Sequence, residues 1–296
     1  MRLVRFSADG AEGLGVLALD GEQVTSVEKL VGAAAGRDLS SLLGDGPPGW
    51  EGALAEGAEA GGGRPLHEVR LLAPCAPVRR NVFCVGKNYR EHAAEIERSG
   101  FLSSTSGPPA RPAIFTKATT SVIGPQEGIP DHADVTSAVD YEAELAVVIG
   151  RGGSRIPPDE AWEHVFGYTI LNDVTARDLQ RDHQQWFIGK SLDGFCPMGP
   201  YVATKDEIDG ASAEVRCWVN GELRQSGNTR ELIVDIPHLI STISSGIMLL
   251  PGDVIATGTP EGVGAGFKPP RFLKVGDEVT VEVTGLGRLT NQVVAG

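Results

Sequence analysis

The sequence predicts a strand-dominated α+β fold: a large body preceded by a small β-rich N-terminal domain. Three observations predict it. Short apolar runs at the start of the chain are separated by turn residues, as in a β-meander. An Ala/Gly/Glu-rich stretch at 51–64 and the Pro-containing segment at 65–77 then separate this region from the rest of the chain, which places a boundary near residue 73. Beyond it, β-branched runs punctuated by Asn-Gly and Pro-Gly-Asp outnumber helical patterns. Residues 1–73 are therefore read as the small domain and 74–296 as the body.

In the first domain, Leu3–Phe6, Leu14–Leu19 and Gln23–Val27 read as strands, with Asp20-Gly21 as a hairpin signal. Residues 51–64 read as a weak helix ending in a glycine-rich tether. In the body, Asn81–Gly86 reads as a strand and Tyr89–Arg98 as a helix. Residues 99–112, rich in Gly, Ser and Pro, read as a long binding loop or lid. Helical stretches are predicted near 158–166, 174–185 and 233–245, and a type I′ hairpin at Asn220-Gly221.

Composition excludes several classes of function. At 296 residues, 41% hydrophobic and 22% charged, the chain is an ordinary globular protein. A net charge of −13 disfavours nucleic acid and anionic membranes as partners. No apolar run reaches the length of a membrane span, and the N-terminus lacks the apolar region of a signal peptide, so a cytoplasmic protein is expected. Cys75, Cys84, Cys196 and Cys217 are scattered without a C-x-x-C pair and read as buried thiols.

The strongest chemical signal is Glu142 and Glu144 inside the run from Val139 to Gly150. Residues i and i+2 of a strand share a face, so the two carboxylates would stand side by side. A divalent cation relieves their repulsion, and an all-oxygen ligand set favours a hard ion, Mg²⁺ or Mn²⁺ with Ca²⁺ as a further option, over zinc. A solvated acidic strand face is the alternative. Asp173, at the end of the strand Tyr168–Leu171, is either a third oxygen ligand or the N-cap of the next helix. Arg177 and Gln180 share a helix face. Arg177 is suited to a substrate carboxylate or to an ion pair with Asp173 or Asp178. Lys190 lies among glycines, prolines and aromatics, where a lysine either offsets developing negative charge or sits exposed on a loop. The run 255–264 is a strand entering a glycine-rich turn that would let backbone N–H groups approach a ligand; Gly258 and Thr259 lie in it.

Taken together, V-G-K-N-Y-x-x-H, D-Y-E-A-E-L, L-N-D-V-T-A-R-D-L-Q, G-K-S-L-D, the N-G-E-L hairpin and P-G-D-V-I-A-T-G-T-P-x-G-V-G resemble the fumarylacetoacetate hydrolase family, in order, over residues 76–296. The small N-terminal domain resembles that of its bacterial members. The resemblance implies a mixed β-roll or β-sandwich, a homodimer, and Mg²⁺ or Mn²⁺ held by Glu142, Glu144 and Asp173. It implies a catalytic Lys190, substrate contacts from Arg177, Gln180 and the Gly258–Thr259 turn, and a catalytic dyad of His92 and Glu95. The implied substrate is a small anionic 2-oxo acid. Its enolate would be stabilised during acylpyruvate hydrolysis, oxaloacetate decarboxylation, or isomerisation or decarboxylation of a dienedioate. A ureidoglycolate-type lyase and a non-catalytic binding protein are the rivals. Gly194 departs from the threonine that bacterial members often carry after K-S-L-D, which bears on substrate choice.

Overall fold

A computed structural model describes residues 1–35, 38–101 and 111–296. Most of the loop at 99–112 therefore lies outside the described residues. Two open, mixed sheets form the frame. The larger runs in the order Arg64–Pro65, Gln23–Ser26, Ala11–Leu17, Arg2–Ala8, Cys196–Thr204, Val165–Asn172, Ala143–Ile149, Val254–Ala256, Val82–Gly86 and Ala113–Lys117. The smaller runs Glu222–Asn228, Glu214–Val219, Glu278–Val283, Gly287–Val294 and Ile129–Pro130.

The strand Ala143–Ile149 is buried along its whole length because it has a layer on each side. Alternate side chains face opposite ways. Leu145, Val147 and Ile149 meet Val215, Cys217, Val281 and Val283 of the smaller sheet. Ala146 and Val148 belong to a second core with Leu39, Leu42 and Leu54 of the N-terminal region. The smaller sheet alternates buried and less buried positions along Glu214–Val219 and Glu278–Val283, as expected of strands packed on one face.

The N-terminal strands do not form a sheet of their own: Arg2 and Leu3 pair with Ala203 and Val202, so the large sheet is continuous through them. The segment also carries helices at Val27–Val31, Leu39–Asp45 and Trp50–Ala60. The two-residue hairpins Asp9-Gly10 and Asn220-Gly221 each place both residues at positive φ, which matches the twist of the paired strands.

Three expectations are corrected. The helix expected over 174–185 spans only Arg177–Asp182, because Thr175–Ala176 pairs as a short strand with Val139–Asp140. Asp173 accordingly caps no helix; the N-cap position falls on Ala176. The helix near 158–166 is limited to Pro158–His164, one 3₁₀ turn and one α turn, and a strand starts at Val165.

Candidate active site

The site forms where two central strands run out of pairing. Ala143 pairs with Asn172, which leaves Glu142 and Asp173 just beyond the paired ends. Two contacts hold them together: the Asp173 amide donates to the Glu142 carbonyl at 2.8 Å, and Asn172 Oδ1 accepts from the Glu142 amide at 3.0 Å. Glu144 projects from the strand itself. One oxygen from each of Glu142, Glu144 and Asp173 lies within 4.8 Å of the others, and all three residues are buried.

Buried cations surround them. Lys190 Nζ donates to Glu142 Oε2 and to Asp173 Oδ2, both at 2.7 Å. Lys117 Nζ donates to Asp173 Oδ1 at 2.6 Å. The Arg177 guanidinium places Nη2 2.7 Å from Glu142 Oε1, and donates through Nε to Asp140 Oδ2 at 2.8 Å and through Nη1 to Gln180 Oε1 at 3.1 Å. Arg177 therefore pairs with Asp140 and Glu142, not with Asp173 or Asp178.

Among the described residues, four buried carboxylates (Asp140, Glu142, Glu144, Asp173) face three buried cations (Lys117, Arg177, Lys190), which leaves one negative charge uncompensated. That charge falls on Glu144. Burial, then Asp173 and Glu142, push its carboxyl well above the usual range, and the Gly258 amide, donating to Oε2 at 2.8 Å, only partly offsets this. Glu142 behaves oppositely: burial pushes it up, but Lys190, Arg177 and His92 hold it below the usual range. Lys190 is held above its ordinary value, since Asp173 and Glu142 outweigh the effect of burial. Three clustered carboxylate oxygens with one charge to spare fit a hard divalent cation.

The remaining expected residues divide in two. His92, Gln180, Arg177, Lys190 and Thr259 line one small cavity with Glu142 and Glu144, about 20 Å³ in volume, room for roughly one water. The Thr259 hydroxyl is already engaged: it donates to the Ala143 carbonyl at 2.9 Å and accepts from Gln225 Nε2 at 2.8 Å. Glu95, one turn along the helix from His92, does not line this cavity. It accepts the Gly262 amide through both oxygens, and its Oε2 is 3.6 Å from His92 Nδ1, beyond hydrogen-bond length. Gly194 adopts φ +81° and a Cβ there would come within 2.5 Å of Pro130 Cδ, so the backbone itself excludes threonine.

Asp140 and Lys117 complete the cluster, and neither is among the metal ligands, catalytic residues or substrate contacts expected from the sequence. Asp140 accepts from the amides of Tyr141, Gly264 and Ala265 as well as from Arg177. All four cysteines are buried and free, and burial pushes the Cys75 and Cys196 thiols up to about 12, so they carry no nucleophile.

Comparison with known proteins bears on the family and the fold. Residues 81–294 match the family model described as the fumarylacetoacetate (FAA) hydrolase C-terminal domain. The oxaloacetate tautomerase YisK of Bacillus subtilis is 50% identical over 229 residues, 77% of this chain and 74% of its own. A solved structure of a fumarylacetoacetate hydrolase from Exiguobacterium antarcticum superposes with a TM-score of 0.83 at 44% identity, covering 100% of both chains. A 5-carboxymethyl-2-hydroxymuconate delta-isomerase from Mycobacterium smegmatis gives 0.76 at 37%, again over 100% of both.

Proposed function

The chain belongs to the fumarylacetoacetate hydrolase family, and from that premise we propose that it is a Mg²⁺- or Mn²⁺-dependent enzyme that stabilises the enolate of a small 2-oxo dicarboxylic acid, with oxaloacetate the leading substrate. The observation that carries this reading is the buried cluster of Glu142, Glu144 and Asp173 opening on a cavity of about 20 Å³. A hard divalent ion bound to three carboxylates supplies Lewis-acid polarisation of a 2-oxo acid.

The chain's own residues do the rest. Lys190 is kept charged by Asp173 and Glu142 and stabilises negative charge developing beside it. Arg177, fixed by Asp140, holds Glu142 in place. To His92, buried at the cavity wall, we assign the movement of a proton on or off the carbon next to the 2-oxo group. With oxaloacetate that proton transfer interconverts keto and enol forms, the activity for which the Bacillus subtilis relative is named. Loss of the distal carboxylate as CO₂ from the keto form, with the electron pair of the broken C–C bond passing into the 2-oxo group as the enolate of pyruvate, would be decarboxylation.

A second reading has its own observation. Glu95 stands 3.6 Å from His92, close enough for a modest shift to complete a dyad that activates water. The reaction would then be hydrolysis of an acylpyruvate. As part of the same proposal the chain acts as a cytoplasmic homodimer; light scattering tests the assembly. Among the described residues, no helix is long and apolar enough to cross a membrane.

The test is metal-stripped protein resupplied with Mg²⁺ or Mn²⁺ and assayed side by side on oxaloacetate and an acylpyruvate. Metal-dependent ketonisation or decarboxylation of oxaloacetate supports the first reading. Faster metal-dependent loss of the acylpyruvate supports the second. Turnover of neither overturns both, and directs attention to dienedioates and ureidoglycolate.

A further inference from the structure

We infer that Gln225, a residue of the smaller sheet, sets the spacing of the Glu142–Glu144 pair and so the affinity of the site for its divalent ion. Gln225 is a positioning residue, and the inference rests on the metal-binding function proposed for that pair.

Gln225 is 0% exposed, and both ends of its side-chain amide are engaged. Oε1 accepts the Ala143 amide at 3.0 Å, while Nε2 donates to Thr259 Oγ1 at 2.8 Å and to the Pro260 carbonyl at 2.7 Å. The Thr259 hydroxyl in turn donates to the Ala143 carbonyl at 2.9 Å, which closes a ring of hydrogen bonds. Ala143 stands between the two glutamates. Its N–H belongs to the peptide that joins it to Glu142, and its C=O to the peptide that joins it to Glu144, so the ring clamps both. Pairing between Ala143–Ile149 and Val254–Ala256 stops at Ala146, and at Ala143 these two side chains take the place of a neighbouring strand.

The strand Glu222–Asn228 is shaped to turn Gln225 inward. Cys217 pairs with Gln225 and Trp218 with Leu223, which leaves Arg224 as the extra residue of a β-bulge. Residues two apart on a regular strand share a face. Here Leu223 is 51% exposed and Gln225 is buried, so the bulge reverses the alternation: a leucine is left in solvent and an amide is brought inside. The glycine-rich loop that carries Thr259 is seated on the same strand. A Cβ at Gly262 would lie 1.9 Å from the Arg224 carbonyl oxygen, and one at Gly227 would lie 2.6 Å from Pro260 Cβ. Glu142 and Glu144 present their oxygens to one point only while the backbone between them stays extended. Groups that hold metal ligands in place in this way commonly change metal affinity by about 10- to 100-fold.

The test is calorimetric titration of Mg²⁺ and Mn²⁺ into metal-stripped wild type, Gln225→Met, Thr259→Val, the double variant and Asn291→Leu, with melting temperatures in chelator. Asn291 is the matched control: an amide 2% exposed in the same sheet, it donates to the carbonyls of Gly124 and Glu127, away from the site. Gln225→Met should weaken both ions by about 10- to 100-fold, and Thr259→Val should act in the same direction. The double variant should be little weaker than Gln225→Met alone, because both substitutions open one ring. Asn291→Leu should melt earlier in chelator yet bind both ions as the wild type does. Wild-type affinity in Gln225→Met, additive losses in the double variant, or an equal loss in Asn291→Leu would overturn the assignment. If Gln225→Met does not fold, Thr259→Val against Asn291→Leu decides it, wild-type affinity in the threonine variant overturning the ring. A wild type that binds neither ion overturns the functional reading and this inference with it, whereas the other failures leave that reading intact.

Discussion

Glu95 accepts the Gly262 amide through both carboxylate oxygens, at 3.0 and 3.1 Å, and so ties the helix that carries His92 to the glycine-rich loop after Val254–Ala256. The same loop is held from beneath by Asp140, which accepts from Gly264 and Ala265 and also grips Arg177. One loop thus couples the helix bearing the expected proton carrier to the arginine that fixes Glu142, one of the proposed metal ligands. Ile96, Val263 and Ala265 pack together at this junction.

Glu95→Gln separates the two roles open to Glu95. The amide oxygen can still accept from Gly262, so the melting temperature should change little, while kcat should fall by about 10²-fold if Glu95 acts with His92 in proton transfer. Gly266→Ala should reproduce much of that loss from the other side, because a Cβ there would lie 2.0 Å from Glu95 Oε1 and force the carboxylate off Gly262. Unchanged kcat in both variants would limit Glu95 to anchoring the helix. Steady-state kinetics and thermal melts on the same preparations decide it.

Asp140→Ala should be strongly destabilising. The side chains of Asp140 and Arg177 are 0% and 1% exposed, so deletion leaves a guanidinium buried without its Nε partner and strips three backbone amides of their acceptor. A loss of about 3–5 kcal/mol is expected, seen as a lower urea midpoint with little change in slope. A loss below about 1 kcal/mol would show that the loop re-forms its contacts without Asp140.

The readability of this site from sequence depends on how local each contact is. Glu142, Glu144 and Asp173 were legible because adjacent antiparallel strands place the ends of D-Y-E-A-E and L-N-D together, a relationship that strand pairing makes almost automatic. Asp140 was not, because an acid two residues before a ligand pair looks like a continuation of the same acidic face; its real partners are 37, 124 and 125 residues away. Lys117 ends the strand Ala113–Lys117, where a lysine ordinarily reaches solvent, and only the tertiary fold turns it onto Asp173. The Thr259 hydroxyl was assigned to substrate, yet the carbonyl of Ala143 and the amide of Gln225 claim it. The pairing of Arg2–Ala8 with Cys196–Thr204 has no local signature at all, so the N-terminal strands gave no sign that they extend the large sheet.

Glu144 contributes a pH dependence of its own to the metal-free protein. Burial and its two carboxylate neighbours push its carboxyl well above the ordinary glutamate value of about 4.3. Between that value and the raised one, the folded chain holds a proton that the unfolded chain has released. The contribution of Glu144 to the stability of the metal-free protein is therefore fully present below the ordinary value and is lost as pH rises through this window. Metal binding needs the carboxylate, so across the window it should release up to one proton, and affinity for Mg²⁺ or Mn²⁺ should rise with pH. Glu144→Gln copies the neutral acid. In chelator it should be at least as stable as wild type at pH 8 and should lose the decline, while its affinity for the divalent ion and its metal-dependent turnover collapse. Melting temperatures from pH 5 to 9 with and without Mg²⁺, together with calorimetry in buffers of different ionisation enthalpy, read both halves. A Gln variant less stable than wild type in chelator at pH 8, or metal binding without proton release, would mean that Glu144 is already ionised in the metal-free fold.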